Sequence, residues 1–594
     1  MTFLIVLAAA AIAGTWIIRP LRLGDRLELQ AYRLLAGLAV CGLFILASSP
    51  FLTLSGAFQV LLIVALAGWG WELFIKARDR YYREPVSHAI PKLTRWEYGA
   101  LALIAVCGAM ALLGALAPPT DGDVLNRQLS LAAQDAASGR IQAHPNTMFG
   151  PPSPMMHVFY AMALHNHEEY AANLFSWLYG MLALAAVCAA GARLGGRSCG
   201  ILAAALLAIT PLFFTQSSTA HFDLAFAAYT TASLACLMAW REEKHFGWVF
   251  LGALFTGSAA SVQPAGYALI PVFALVVFLS TKTHCYRLTM SYLAGAVVIS
   301  LPWFFYEFVP TPDTNPFTHL LERYESLAFA RQGESPRDRF YAAALFPWDV
   351  VMRPMVHGGW SHSVGPLVLV LGVPALVASR RELWRVGAFC IASGAVLYFV
   401  SADSRTVLPA IAPMFAVAAH GVLHLRPLRW LTGAVVALAC VAGIMYQGLD
   451  LRQRLPVVTG AVSRDAYLEA HVPRYPVYRW INRNIPENAT LISFDPLTYY
   501  LERPVYGNAT ALGTLRGRAL AGQLHWLKDH DVRYLVHAER LTGEDPGFRR
   551  SGAATLVKRW LERPEHFVLI QEFEFGGGSD EPKERVRIYE IHHD

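Results

Sequence analysis

Residues 97–123 read EYGALALIAVCGAMALLGALAPPTDGD. After Glu97 the run is free of charge as far as Ala117, and about 20 apolar residues are what an α-helix needs to cross the hydrocarbon core of a bilayer. Pro118 and Pro119 then stop the helix. The next residues, Thr120, Asp121, Gly122 and Asp123, place two acids at the point where the chain leaves the apolar layer. Acids held at a membrane boundary are costly and therefore point to function. The competing reading is a helix cap, because an Asp at a helix start accepts backbone N–H bonds and complements the helix dipole.

The same pattern extends in both directions. The 594 residues are 55% apolar and only 15% charged, with a mean hydropathy of +0.37. A soluble chain of this length needs a larger charged surface. Apolar runs recur from Leu4 to Met445 without a heptad or Gly-X-Y period, which excludes disorder, coiled coil and collagen. Runs long enough to span lie near 2–18, 33–48, 57–75, 97–117, 170–190, 199–216, 221–240, 246–262, 267–281, 288–308, 364–378, 386–401, 406–422 and 430–447. The fold class expected is an α-helical polytopic membrane protein of about 14 transmembrane helices. All eight cysteines lie in or beside these runs, so neither a disulfide framework nor a structural zinc site is expected.

Basic residues orient the spans, since cytoplasmic loops collect Lys and Arg. Arg19, Arg22, Arg26 and Arg33 follow the first run, which places the N-terminus outside and argues against a cleaved leader. Alternate loops then carry Lys76 to Arg95, Arg193 and Arg197, Arg241 and Lys244, Lys282 and Arg287, Arg380 to Arg385, and Arg426 and Arg429. The short loops 49–56, 217–220 and 263–266, on the other side, hold no Lys or Arg. The formal charge of +6 is thus an orientation signal rather than a nucleic-acid footprint.

Two long hydrophilic stretches, 118–169 and 309–363, fall on the outer side. Residues 124–138 and 320–329 read as short helices within them. After Met445 the composition becomes that of a soluble α/β domain, also outside by parity. Helices are expected at 475–483 and 520–528, strands at 490–494 and 534–537, and a hairpin from 567–575 and 585–591. A third acid, Asp223, stands in Ala220-His221-Phe222-Asp223 at the outer end of a span. Asp123 and Asp223 facing one cavity could share cation binding and general-base work. The His165-Asn166-His167-Glu168-Glu169 stretch reads as solvated loop rather than a metal site, because ligands two apart on a helix face different ways. His144, His157, His319, His357 and His362 also lie on the outer side, without a recognisable ligand spacing.

Several short motifs taken in order carry a resemblance. They are Pro118-Pro119-Thr120, Asp123-Val124-Leu125, Gly139-Arg140-Ile141, Pro145-Asn146, Pro151 and Phe159-Tyr160, then Arg193 to Arg197, Thr210-Pro211-Leu212 and Ala220 to Asp223. Together they resemble the GT-C superfamily, and more narrowly the bacterial integral-membrane relatives of protein O-mannosyltransferases and the lipid A aminoarabinose transferase. The similarity covers roughly 97–310 and continues loosely through Arg405 to Pro413; the first three spans are not obviously covered. It divides the chain into additional N-terminal spans (1–96), a GT-C-like catalytic module (97–310, with the outer loop 118–169), a second outer loop with the last spans (311–447), and an extracytoplasmic α/β domain (448–594).

The resemblance implies an inverting glycosyltransferase of the bacterial inner membrane. It would draw on a polyprenyl-phosphate-linked sugar and act on an envelope glycan, lipid or protein acceptor at the outer face, among membrane lipids and without nucleic acid. Asp123 takes the role of general base, Asp223 holds a divalent cation or the acceptor, and Asp121 is a spare for either. Asp123 and Asp223 are the metal candidates, for magnesium or manganese ahead of zinc; no nucleotide or redox cofactor is implied. Arg405, the only basic residue of its short outer loop, is assigned to the lipid phosphate, against the plainer reading of an arginine paired with Asp403. Arg353, His221 and Gln263 are further substrate-binding candidates. Many relatives carry Tyr-His where this chain has Arg127-Gln128 and Lys near Gln263, so phosphate contacts are expected to shift toward Arg127. The alternatives are a multi-pass transporter or lipid flippase, which calls for mid-membrane charge and an internal repeat, and a noncatalytic membrane scaffold.

Overall fold

The computed structural model describes residues 1–23, 28–82, 92–142, 153–280, 285–307, 336–353, 360–377, 381–400, 405–424, 429–495, 497–507, 515, 518–539, 553–575 and 584–593. The expected helix 320–329, together with His144, His319, His357, Asp403, Pro145-Asn146 and Pro151, lies outside the described residues. Each apolar run falls on a helix. Among the described residues, seven helices are long and apolar enough to cross a membrane: Thr2–Leu21, Glu28–Ser48, Leu54–Ile75, Arg95–Ala115, Glu169–Gly195, Tyr286–Tyr306 and Trp430–Val458. The remaining runs form shorter or more polar helices. The helix Asp223–Glu243 is long enough, but carries Asp223, Arg241, Glu242 and Glu243 at its ends.

The run 199–216, expected as one span, is a pair, Arg197–Ala208 and Pro211–Ser218, bent by 72°. Its cause is local: Pro211 opens the second helix and the Thr210 hydroxyl accepts a bond from the Phe213 amide at 3.1 Å. An additional apolar helix, Phe340–Met352, has no counterpart among the expected runs. It is only two to three turns of apolar sequence beginning beside Arg337 and Asp338 and broken by Asp349.

Close approach of helices is licensed by small residues, which let backbones meet where lipid gives no hydrophobic drive. A Cβ at Gly37 would stand 1.7 Å from the Ala10 carbonyl oxygen, and one at Gly200 2.3 Å from that of Cys188. Buried hydroxyls supply the rest: Tyr229 donates to the Leu35 carbonyl at 2.9 Å and contacts Tyr179, while Ser233, Thr256 and Tyr292 form a closed triangle within 3.0 Å.

Following the chain sorts the molecule into two ends. At one, Arg193 gathers Glu28, Glu242 and Glu243. At the other, the Thr2 amide donates to Glu168 at 2.9 Å, and Arg464 pairs with Glu169 at 3.0 Å, which ties the first helix, the loop 118–169 and the C-terminal domain together. The His165–Glu169 stretch is thus a joint between these parts: His165 bonds Ser55 and the Ala136 carbonyl, and Tyr499 donates to Glu169.

The C-terminal domain is the expected α/β unit. Strands β1 (Thr490–Ser493), β2 (Val505–Gly507), β3 (Val532–Ala538), β4 (Phe567–Phe575) and β5 (Glu584–Ile591) form one sheet of order β2-β1-β3-β5-β4. The β1–β2 and β1–β3 pairs are parallel; β3–β5 and β5–β4 are antiparallel, as the hairpin reading expects. Alternation along each strand feeds two cores. Leu491 and Val536 face the helices Arg464–His471 and Tyr475–Asn484, whereas Ile492 and Leu535 face Leu520–Asp529 and Ala553–Leu561. The first core also receives Leu125, fully buried, from the loop that carries Asp123. The last span does not stop at the expected domain boundary but runs on unbroken as Arg429–Val458.

Candidate active site

Loop 118–142 is held from three sides before any acid is placed. Asn173 donates to the Ala115 and Ala117 carbonyls, both at 3.1 Å, and so finishes the helix that enters the loop. The Tyr500 hydroxyl donates to the Pro119 carbonyl at 2.6 Å. Asp121 Oδ1 then accepts the Asp123 and Val124 amides at 3.0 and 3.2 Å. The capping reading of Asp121 therefore holds, and its cap starts the segment that presents Asp123. That segment opens as a single π turn, Val124–Gln128, before the helix Leu129–Ser138. Such turns re-aim side chains and are frequent at functional sites.

The second oxygen of Asp121 faces His221, Oδ2 to Nε2 at 3.7 Å. His221 is fully buried, and its backbone carbonyl is pinned by the Tyr160 and Ser176 hydroxyls at 3.0 and 2.7 Å. The His362 ring meets it edge-on at 6.3 Å, and Ser361 contacts the His362 Nδ1. Burial pushes the Asp121 carboxyl up, but His221, the Val124 amide and Arg405 outweigh it and hold the group well below the usual carboxylate range. A lowered folded value contributes stability above the unfolded pKa of about 3.9, lost only as pH falls through the folded one. Amide protection at Val124 is therefore expected to persist through pH 4 and to fail only in stronger acid. Asp121→Ala should weaken the helix start by about 1 kcal/mol while Asp121→Asn, which keeps an accepting oxygen, costs less. Hydrogen exchange at Asp123 and Val124 measures both.

Asp123 is 45% exposed, and its Oδ2 lies 2.6 Å from Arg405 Nη1. Arg405 sits in the turn leading into the short helix Leu408–Ile411, with Pro409 in its first turn. Beside it, Thr406 accepts a bond from Gln263 Nε2 at 3.3 Å, while the buried Gln263 Oε1 has no hydrogen-bond partner among the described residues. The structure thus brings together Asp121, Asp123, His221, Arg405 and Gln263 from four separate segments. Asp223 is buried at the first turn of Asp223–Glu243, two residues beyond His221. Arg353 is 65% exposed at the end of Pro336–Met352 and pairs at 3.6 Å with Asp349, one turn back. The side chain of Arg127 lies outside the described residues; its backbone belongs to the π turn.

Sequence reasoning passed over the supports. Asp135 and His157 form a fully buried pair at 2.8 Å that fastens Leu129–Ser138 to Pro154–His165. Arg454, on the extended last span, reaches Ser218 at 3.1 Å and Asp450 at 2.8 Å. The Asp135–His157 and Arg454–Ser218 contacts join residues far apart in the chain, whereas Arg454–Asp450 is an i,i+4 pair on one helix and the Asp121 cap spans three residues. No three His, Cys, Asp or Glu side chains among the described residues gather as metal ligands. Asp121 Oδ1 is spent on two amides and Asp123 Oδ2 on Arg405, so these acids do not fit a cation centre as they stand, and no step below passes through one.

Residues 150–306 match the family model described as dolichyl-phosphate-mannose-protein mannosyltransferase. No curated protein matches the sequence. Among solved structures, ArnT from Cupriavidus metallidurans bound to undecaprenyl phosphate superposes with a TM-score of 0.53 at 15% identity, covering 84% of this chain and 98% of that one. Its apo state gives the same values. An Archaeoglobus fulgidus oligosaccharyltransferase in complex with Zn and sulfate gives a TM-score of 0.48 at 12% identity, covering 76% of this chain and 70% of that one. The matched segment spans the Phe159-Tyr160 and His221 to Asp223 motifs, and the chain shares its fold with nearly all of ArnT.

Proposed function

We propose that the chain moves a sugar from a polyprenyl-phosphate-linked donor to an acceptor hydroxyl or amine at the outer face of the bacterial inner membrane, with inversion. The observation that carries this reading is the 2.6 Å contact of Asp123 with Arg405, which sets an ionisable carboxylate and a phosphate-seeking cation side by side at the loop-bearing end. The acceptor oxygen or nitrogen attacks the anomeric carbon and its proton passes to Asp123. The bond from that carbon to the phosphate oxygen breaks, and the electron pair leaves with the lipid phosphate, whose charge Arg405 balances. Asp121 is a positioning residue, acting through the Asp123 amide it caps, with His221 holding its second oxygen. Asp223 is assigned to the acceptor side.

The N-terminal end of the first helix and the C-terminal domain share the face of loop 118–169, and Arg193, with Glu28, Glu242 and Glu243, lies at the other. This arrangement supports an extracytoplasmic site under the positive-inside rule. The test is a panel of undecaprenyl-phosphate-linked sugars incubated with the purified chain in nanodiscs, reading free undecaprenyl phosphate. Release from at least one donor is expected. If every donor stays intact while lipid-linked sugar crosses the bilayer of proteoliposomes, the chain is a flippase instead.

A further inference from the structure

The base and the phosphate ligand of the proposed reaction touch each other, and an inverting displacement does not allow that at the moment of transfer. Nucleophile and leaving group lie on opposite sides of the anomeric carbon, so the groups serving them must stand apart by the breadth of the sugar. In inverting glycoside hydrolases the two flanking carboxyl groups are roughly 6.5–9.5 Å apart for the same reason. The Asp123–Arg405 contact is 2.6 Å. The Asp123 side chain is 45% exposed and stands at the start of its helical segment, so packing does not lock it, while Arg405 is 21% exposed in the turn before Leu408–Ile411.

We infer that the Asp123–Arg405 ion pair is the donor-free state of the site, and that the donor's phosphate displaces the Asp123 carboxylate from Arg405, unmasking the base only when a donor is bound. This deepens the proposed function and rests on its assignment of Arg405 to the lipid phosphate. The donor's phosphodiester carries a full charge on two non-bridging oxygens, a fork the guanidinium binds as it binds a carboxylate, and it competes with a partly exposed ion pair worth at most about 1 kcal/mol. The neighbouring Asp121 stays behind: its oxygens are engaged by two amides and His221, so the capped backbone remains while the Asp123 side chain swings. The consequence is an order of binding. The acceptor finds a competent base only after the donor has arrived, and in the empty enzyme Asp123 is held by Arg405 instead of activating water.

The experiment titrates undecaprenyl phosphate into the full chain in nanodiscs, by native mass spectrometry, for the parent, Asp123→Asn, Arg405→Gln and the double variant. Asp123→Asn should bind about two- to fivefold tighter than the parent, the range a partly exposed ion pair allows. Arg405→Gln should bind at least about tenfold weaker, as loss of a charged phosphate contact implies. In the Arg405→Gln background the gain from Asp123→Asn should vanish, because the competition needs the guanidinium. A gain that survives there would show simple relief of charge repulsion and overturn the latch. Weak binding by Arg405→Gln without a gain in Asp123→Asn would also overturn it, leaving the phosphate assignment intact. Parental affinity in Arg405→Gln would remove the assignment itself.

Discussion

Replacing Asp123 with Asn lowers sugar transfer by a factor of roughly 10²–10⁴, the usual contribution of a positioned general base. The amide keeps the shape of the side chain, and the segment around it is held by other groups, the Asp121 cap and the buried Leu125. Loss should therefore appear in kcat, with donor KM unchanged or lower, because the substitution removes a group needed in the transition state and frees Arg405 for phosphate. Asp121→Asn gives the contrasting profile, a smaller fall that follows loop stability. If the two variants exchanged these profiles, Asp121 would be the base and Asp123 its support.

A second large effect is expected far from the acids. Asp495 is almost fully buried, with Arg474 Nε at 2.7 Å and the Tyr478 hydroxyl at 2.6 Å on one oxygen and the Leu497 amide at 3.0 Å on the other. Arg474 also binds Glu584 at 2.8 Å, so the pair ties the helix Tyr475–Asn484 to the end of β1 and to β5. Removing Asp495 leaves the buried Arg474 with Glu584 as its remaining carboxylate and strips Tyr478 and the Leu497 amide of their acceptor, a loss near the lower end of the about 3–5 kcal/mol expected for breaking a buried pair. Asp495→Ala should lower the unfolding temperature of the C-terminal domain, read by intrinsic tryptophan fluorescence. It should also depress transfer, because Leu125 and the Pro119 carbonyl lean on that domain. Unchanged transfer in a variant whose domain is shown to be unfolded would refute the coupling.

The coupling explains why an α/β domain without its own catalytic motif accompanies the membrane helices. Its core takes in Leu125, two positions beyond Asp123, so part of the order of loop 118–142 is supplied by the domain. The Tyr500 bond to Pro119 and the Arg464 and Tyr499 contacts with Glu169 hold both ends of the stretch 118–169. The site is therefore framed by membrane helices below and by the domain above.

How much was readable beforehand follows from how far apart the interacting residues are. The helix 97–117 and its proline stop needed only local composition, and the strands of the domain needed only period-two alternation and turn residues. The bend at Thr210 was written as a Thr-Pro helix start, yet a hydropathy window averages across it and returns one span. The helix Phe340–Met352 was hidden by the opposite fault, a short apolar stretch among charges. Among the site residues, the Asp121 cap was legible because its partners are two and three positions away.

By itself the sequence determined the membrane class, the alternation of basic and non-basic loops, the α/β character of the tail, and the residues able to do acid–base and phosphate chemistry. These follow from side-chain hydropathy, charge and local periodicity, which act within a turn or two of chain. Only the tertiary structure decided that Asp123 lies against Arg405, that His221 faces Asp121, that Arg353 turns to its own helix, and that Leu125 enters the core of the distant domain. Such contacts join segments far apart in the chain, and their geometry depends on how whole helices pack, which no local pattern encodes.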